Sequence, residues 1–176
     1  MQKIEEKKAK KGVIIGIIII IIFALAIAIW FLFFMEPNKL TPDYALPEVE
    51  ANAQIIEGDD SDKMESPDGG GAASLLYSKT VRVSLSQSTA SLLVGNPKKS
   101  TQDVVFQVVI DDVIIAQSGR LIPGYQVKQV SLDKKAKDLL KNGGYDGTIR
   151  ILYYDESTGE KAMLNTEIPV KIEVNN

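Results

Sequence analysis

The sequence contains no cysteine and no histidine, and these two absences exclude several kinds of chemistry. Without cysteine the chain forms no disulfide framework, has no thiol nucleophile and offers no cysteine-based zinc site. Without histidine it lacks the commonest general base and metal ligand, so Ser–His and Cys–His nucleophilic catalysis is excluded as well. From the residues that remain we expect a protein that is not an enzyme and that uses no cofactor.

Large aromatic side chains are scarce outside one segment, because the single Trp and four of the five Phe lie within residues 13–35. In this segment 22 of the 23 residues are apolar, with Gly16 as the exception, and no charge interrupts it. A helix of this length spans about 35 Å, enough to cross a hydrocarbon core of about 30 Å. We therefore predict a single N-terminal transmembrane helix, which makes the lipid bilayer a partner of the chain.

Charge around this apolar run predicts its orientation. Five lysines lie within residues 1–12, whereas only Lys39 follows the run closely. The positive-inside rule places the N-terminus in the cytoplasm and the C-terminal part outside the cell membrane. The residues expected at the two membrane interfaces are Lys10, Lys11, Trp30, Phe31, Phe33 and Phe34. A cleaved signal peptide is the competing interpretation, but the small residues Ala24–Ala28 lie inside the run, which favours an uncleaved signal anchor.

Residues 36–71 differ sharply in composition from the run before them. They contain four prolines and three consecutive glycines, and their ten acidic residues and two lysines give a net charge of −8. Such a segment has too little apolar surface to offset the entropy of ordering it. We predict a disordered acidic stalk that joins the basic tail (1–12) and the anchor (13–35) to a C-terminal domain (72–176).

Apolar residues recur with period two through residues 72–176, which indicates β-strands. In residues 104–110 the side chains of Val104, Phe106, Val108 and Ile110 share one face, and Pro123-Gly124 is a turn signal. Residues 162–174 are predicted to point Leu164, Ile168, Val170, Ile172 and Val174 inward. Asp133 is expected to cap one short helix over residues 134–141. The fold class is therefore mainly β, with a C-terminal β-sandwich of about seven strands.

One segment resembles a known family. Leu140-Lys141-Asn142-Gly143-Gly144-Tyr145 looks like the corner before the sixth strand of immunoglobulin-like and fibronectin-III-like sandwiches, with Tyr145 as the structural corner residue. The stretch from Asn96-Pro97 to Tyr125 is similar to small extracellular sandwich domains of Gram-positive bacterial surface proteins. The resemblance covers residues 78–174 and implies an Ig-like domain, although the antibody-type cysteine pair and core tryptophan are missing.

Few residues of the C-terminal domain suggest a binding site. Asp111, Asp112 and Asp146 are expected at one end, where a weak Ca²⁺ site is conceivable, although turn and cap roles explain these residues equally well. No set of residues predicts a catalytic or cofactor-binding site. Tyr125 follows a turn and Tyr154 is expected to face outward, so these two are the candidate contact residues.

Together these features predict a location and a class of function. The C-terminal domain has a net charge of only +2, from 13 basic and 11 acidic residues, which gives no reason to expect nucleic acid as a partner. Our leading hypothesis is a single-pass cell-envelope protein that presents a non-catalytic Ig-like domain outside the membrane. It would serve protein–protein interaction or the assembly of an envelope complex. The alternative is an adhesion or ligand-binding surface module for a glycan or a host protein.

Overall fold

The computed structural model describes Phe23 and residues 46–176. The chain divides into two compact units, Met1–Asp43 and Tyr44–Asn176. Described residues of the second unit form nine strands and one short helix. These elements are β1 (Gln54–Ile55), β2 (Leu76–Tyr77), β3 (Thr80–Ser84), β4 (Thr89–Asn96), β5 (Gln102–Ile110), β6 (Val113–Gln117), β7 (Tyr125–Ser131), α1 (Ala136–Leu139), β8 (Gly143–Asp155) and β9 (Lys161–Asn175).

The nine strands form one continuous sheet in the order β1-β7-β4-β3-β9-β8-β5-β6, with β2 paired to β4. Neighbouring strands are antiparallel except for β3 and β9, which run parallel from the pair Thr80–Lys171 to the pair Ser84–Asn175. The sheet curls so that its two halves share one core, which gives a β-sandwich-like fold. The mainly β prediction is confirmed, but there are nine strands rather than about seven, and the β3–β9 pairing joins the two layers into one sheet.

The apolar residues that recur at every second position lie on the face that each strand buries. Val81 and Val83 of β3, and Ile172 and Val174 of β9, are all at most 1% exposed. They lie in one cluster with the apolar residues of β4, β5, β7 and β8. The prediction for β9 is wrong at Leu164, which is 67% exposed because the strand is irregular there.

Pro169 occupies a position in β9 where a missing N–H leaves no gap in the sheet. Strand β9 pairs with β8 along most of its length, whereas β3 joins it only from Lys171 onward. The Lys171 N–H donates to the Lys79 carbonyl oxygen at 3.0 Å. Since residues two apart direct their backbone groups to the same side of a strand, Pro169 faces the side on which no described strand pairs with it.

Helix α1 is shorter than the helix expected over residues 134–141. The Asp133 carboxylate accepts a hydrogen bond from the Lys135 N–H at 2.8 Å, just before the helix starts. Leu140 already has extended dihedral angles, with φ of −92° and ψ of 139°. Its side chain is only 5% exposed, so burial of Leu140 in the core ends the helix early.

Residues 46–71 are ordered against the domain, which corrects the prediction of a disordered stalk for this part of the chain. Gln54 and Ile55 pair with Gln126 and Tyr125 of β7. The Met64 N–H donates to the Lys99 carbonyl oxygen at 2.8 Å. Composition predicted disorder because apolar residues are few, but the order here comes from backbone hydrogen bonds, which composition does not reveal. We call residues 46–79 the N-terminal arm.

Among the residues that the structure describes, no helix is long and apolar enough to cross a membrane. The predicted span over residues 13–35 lies outside the described residues except for Phe23. The predicted interface residues also lie outside them, namely Lys10, Lys11, Trp30, Phe31, Phe33 and Phe34. The basic tail and residues 36–45 of the predicted stalk are likewise not among the described residues.

Candidate interaction surface

The N-terminal arm begins with a segment fastened along residues 118–120. The Arg120 N–H donates to the Glu48 carbonyl oxygen at 2.8 Å, and the Glu50 N–H donates to the Arg120 carbonyl oxygen at 3.0 Å. The Glu50 carboxylate accepts from the Gly119 N–H at 2.6 Å. Val49 forms a parallel bridge with Arg120. Backbone bonds on both sides of Val49 therefore fix the point where the chain enters the domain.

The side chain of Arg120 links this entry segment to the interior. Its Nη1 donates to the Asp103 carboxylate, and its Nε donates to the Pro47 carbonyl oxygen at 3.3 Å. The Asp103 side chain is 0% exposed and that of Arg120 is 18% exposed. Burial raises the pKa of Asp103 above its ordinary value, although the hydrogen bond and charge of Arg120 act in the opposite direction. The ion pair thus holds the Arg120 guanidinium in place, and the same side chain binds the arm through the Pro47 carbonyl oxygen.

The turn between β8 and β9 is held by Asp155. Its carboxylate accepts hydrogen bonds from the Ser157 hydroxyl at 2.6 Å, the Ser157 N–H at 2.9 Å and the Thr158 N–H at 2.7 Å. These bonds, with the Ser157 hydroxyl the largest contribution, lower the pKa of Asp155 to about 2. The turn is thus a preorganised loop rather than a loose connection.

Gly159 in this turn brings the arm and the hairpin together. Its φ is +71°, which favours glycine, and a Cβ there would come within 2.9 Å of Leu46 Cδ2. Leu46 therefore lies against the turn, in a groove lined with residues 158–163. A second tie is the ion pair of Lys63 with Glu156, at 2.6 Å.

Beside this turn, β9 exposes two consecutive apolar side chains. Between the pairs Leu152–Asn165 and Tyr154–Lys161, β8 advances by two residues and β9 by four, so residues 162–164 form a bulge. Because a bulge suspends the alternation of side chains, Met163 is fully exposed and Leu164 is 67% exposed. Leu46 is 44% exposed next to them. We call Leu46, Met163 and Leu164 the tip patch.

The two candidate contact tyrosines do not form an exposed aromatic surface. Tyr154, expected to face outward, is only 2% exposed and packs with Val105 and Leu152 in a second apolar cluster. Tyr154 lies outside the main core cluster that contains Tyr153, but its side chain is buried and therefore offers no exposed contact surface. Tyr125 is half-buried against the main core, between β1 and β4.

Tyr145 lies at the beginning of β8, four residues after Lys141. Its hydroxyl accepts a hydrogen bond from the Lys141 N–H and donates one to the Lys141 carbonyl oxygen, each at 3.0 Å. The tyrosine side chain therefore closes the connection between α1 and β8. This is the bonding pattern expected of a corner tyrosine, and it is structural rather than ligand-binding.

Asp111, Asp112 and Asp146 do line one groove, at the opposite end of β8 from the tip patch. Asp111 and Asp112 have φ values of 47° and 64°, as a two-residue turn between β5 and β6 requires. The Asp146 carboxylate pairs with Lys171. Within residues 46–176 no group of three or more acidic side chains could hold a metal ion, so the conceivable Ca²⁺ site is not formed there.

Comparisons with known proteins define no family for this chain. No protein-family model matches it, and no curated protein is similar to it. Among solved structures it is similar to the major subunit of aggregative adherence fimbriae type I from Escherichia coli, with 11% identity and a TM-score of 0.33. That likeness covers 64% of this chain and 100% of the fimbrial subunit. The resemblance to Gram-positive surface domains therefore stays a prediction.

The tip patch and the buried Arg120–Asp103 pair are the features that sequence reasoning missed. Met163 and Leu164 stand next to each other, and adjacent apolar residues in a strand put one side chain on each face unless a bulge intervenes. The break in alternation at Ala162-Met163-Leu164 was the available signal for the patch. No local signal could have paired Arg120 with Asp103 and Pro47, because these contacts span 17 and 73 residues.

Proposed function

We propose that this chain is a single-pass cell-envelope protein that presents a non-catalytic immunoglobulin-like domain outside the membrane. The domain would serve protein–protein interaction or the assembly of an envelope complex. In this proposal residues 13–35 cross the bilayer and residues 1–12 lie in the cytoplasm. The observation that carries it is the uninterrupted apolar run of residues 13–35, which follows five lysines within residues 1–12.

The strand order supports the immunoglobulin-like assignment. Strands β3-β4-β7 follow the order A-B-E, and strands β9-β8-β5 follow the order G-F-C, of such sandwiches. Strand β1, which comes from the arm, extends the first group beside β7. The bonds between Tyr145 and Lys141 lie at the start of β8, which is the strand where a corner tyrosine is expected.

The short connection between the apolar run and the domain favours assembly near the membrane rather than adhesion at long range. The arm is fastened to the domain, so only residues 36–45 are left to join the domain to the apolar run. Ten residues reach at most about 33–36 Å when fully extended. A domain on so short a tether stays close to the bilayer, where it can contact the extracytoplasmic parts of other membrane proteins.

Protease accessibility tests the topology. We expect protease added to spheroplasts to remove an epitope tag placed after Asn176 and to spare a tag placed before Met1. Detergent-permeabilised cells, in which both tags should be lost, provide the control. Protection of the C-terminal tag in intact spheroplasts would contradict the proposed orientation.

Crosslinking in intact membranes, followed by purification of the full chain, tests the assembly role. We expect discrete crosslinked species that contain other membrane proteins and that disappear when the crosslinker is omitted. Recovery of envelope polysaccharide alone would contradict assembly and would favour the alternative of a ligand-binding module. No described feature favours that alternative at present, since Tyr154 is buried and Tyr125 is half-buried.

A further inference from the structure

The tip patch presents apolar side chains to solvent at a place where the surrounding structure is rigid. Asp155 fixes the turn by three hydrogen bonds, and Gly159 fits closely against Leu46. The bulge then turns both Met163 and Leu164 outward. A preorganised apolar surface of this kind is suited to contact a partner, because little ordering entropy is lost on binding.

The neighbouring edge of β9 is unsuited to pairing with a further strand. Pro169 has no N–H to offer, Glu167 places a charge on the edge and pairs with Arg150, and the bulge distorts the backbone at the other end. Proline, charge and bulges are the features by which proteins protect sheet edges from adding strands. A partner of this region therefore contacts the apolar side chains of the tip patch rather than the backbone of β9.

We propose that the tip patch rests on the outer lipid surface of the membrane that anchors the chain. This inference rests on the proposed function, since it requires residues 13–35 to cross the bilayer. Leu46 belongs to the patch, and only the ten residues 36–45 separate it from Met35, the last residue of the apolar run. Ten residues span at most about 33–36 Å, so the chain's own anchor keeps the patch near lipid.

The chemistry of the surroundings specifies how the patch binds. Asp155, Glu156 and Glu160 lie in the turn, and the basic side chains beside them are Lys63, which pairs with Glu156, and Lys161, so the local charge is −1. Attraction to anionic headgroups therefore does not drive binding. The driving force is the insertion of the Met163 and Leu164 side chains between lipids. Three apolar side chains bind lipid weakly, but the covalent tether supplies a high effective concentration. Contact should thus depend on the anchor and be insensitive to salt.

Site-specific fluorescence on the full chain in phosphatidylcholine nanodiscs tests this proposal. Because the chain has no cysteine, M163C and L139C each carry one environment-sensitive label. Leu139 is a matched control: it is 56% exposed and lies on α1, near the start of β8. The 13 residues of β8 separate the two ends by about 40 Å.

We expect the label at 163, and not at 139, to shift to shorter emission wavelength. A quencher attached to lipid acyl chains should reduce its emission at least twofold, equally at low and high salt. A solvent-like label at 163 in a chain that co-elutes with the nanodiscs would overturn the inference and leave the proposed function intact. A shifted emission without lipid quenching would overturn it in favour of a protein partner or a second copy. Failure of the chain to enter nanodiscs would overturn the proposed function as well.

Discussion

Arg120 joins the entry segment of the arm to the core, and its replacement by methionine removes the two described polar contacts of its side chain. The substitution keeps the apolar length of the side chain and deletes the charge. It breaks the ion pair with Asp103 and the hydrogen bond to the Pro47 carbonyl oxygen. The backbone bonds of residue 120 to Glu48 and Glu50 are retained. R120M therefore isolates the energetic role of the guanidinium.

The expected cost follows from burial. The Asp103 side chain is 0% exposed, so R120M leaves a buried carboxylate without its cation. Removal of one partner from a buried pair costs about 3–5 kcal/mol of unfolding free energy. The matched control is K171M, which breaks the ion pair between Lys171 and Asp146. These two side chains are 73% and 84% exposed, respectively. Exposed pairs contribute about 0–1 kcal/mol, so the control should change stability little.

The pH dependence has a definite sign. Burial raises the folded-state pKa of Asp103 above its ordinary value of 3.8, so this group favours folding most below that value. Its contribution is lost as pH rises through the raised pKa, because the folded state then holds the unfavourable buried charge. R120M removes the cation that offsets this charge. The stability gap between wild type and R120M should therefore widen from pH 4 to pH 7.

Urea unfolding of residues 44–176, followed by circular dichroism, measures these differences. The double variant D103L/R120M should recover most of the loss, because it leaves neither charge buried alone. The reasoning would be refuted if R120M matched K171M at pH 7, or if its cost did not change with pH. A double variant as unstable as R120M would show that the lost contact is packing rather than charge.

Three further predictions concern the turn, the corner and the second apolar cluster. Tyr145→Phe should cost about 1 kcal/mol in urea unfolding, because the two hydrogen bonds to Lys141 are lost; an unchanged midpoint would contradict this. Tyr154→Ala should cost about 3–5 kcal/mol in the same assay, as expected for a buried aromatic side chain; a neutral effect would favour the outward orientation instead. Ser157→Ala should raise the pKa of Asp155 from about 2, as followed by NMR titration. In wild type the stabilisation of this turn is present above the ordinary pKa and is lost as pH falls through about 2; identical titrations would show that the Ser157 hydroxyl is not the main cause.

How far the sequence could predict the fold depends on whether the signal was local. Val81 and Val83, or Ile172 and Val174, reveal their strands because alternation within a few residues determines the buried face. Tyr154 also follows that alternation, but its exposure to solvent depends on whether the second face of the sheet is covered. That covering is a property of the whole fold, which a strand of 13 residues does not encode.

The same limit explains the surface that was missed. Leu164 belongs to an apolar series that continues through Ile168, so period two placed it in the core. Three residues of β9, 162–164, lie opposite the single residue Tyr153, so the alternation is suspended at Leu164, and the position of this bulge is set by the pairing with β8. Register of this kind arises from the turn at Asp155 and the length of the hairpin, not from the apolar pattern alone.

Because the N-terminal arm is bound to the domain, most of the acidic, proline-rich segment does not serve as a spacer between the apolar run and the domain. If residues 13–35 cross the membrane, a fastened arm leaves ten residues of tether, with a reach of at most about 33–36 Å. Release of residues 46–77 would extend that tether to 42 residues and its limit to about 140–150 Å. The contacts of Arg120 with Glu48, Glu50 and Asp103 lie at the point where the tether meets the domain. If the chain is anchored in this way, these contacts, together with the pairing of β1 with β7, keep the tether at its shorter length.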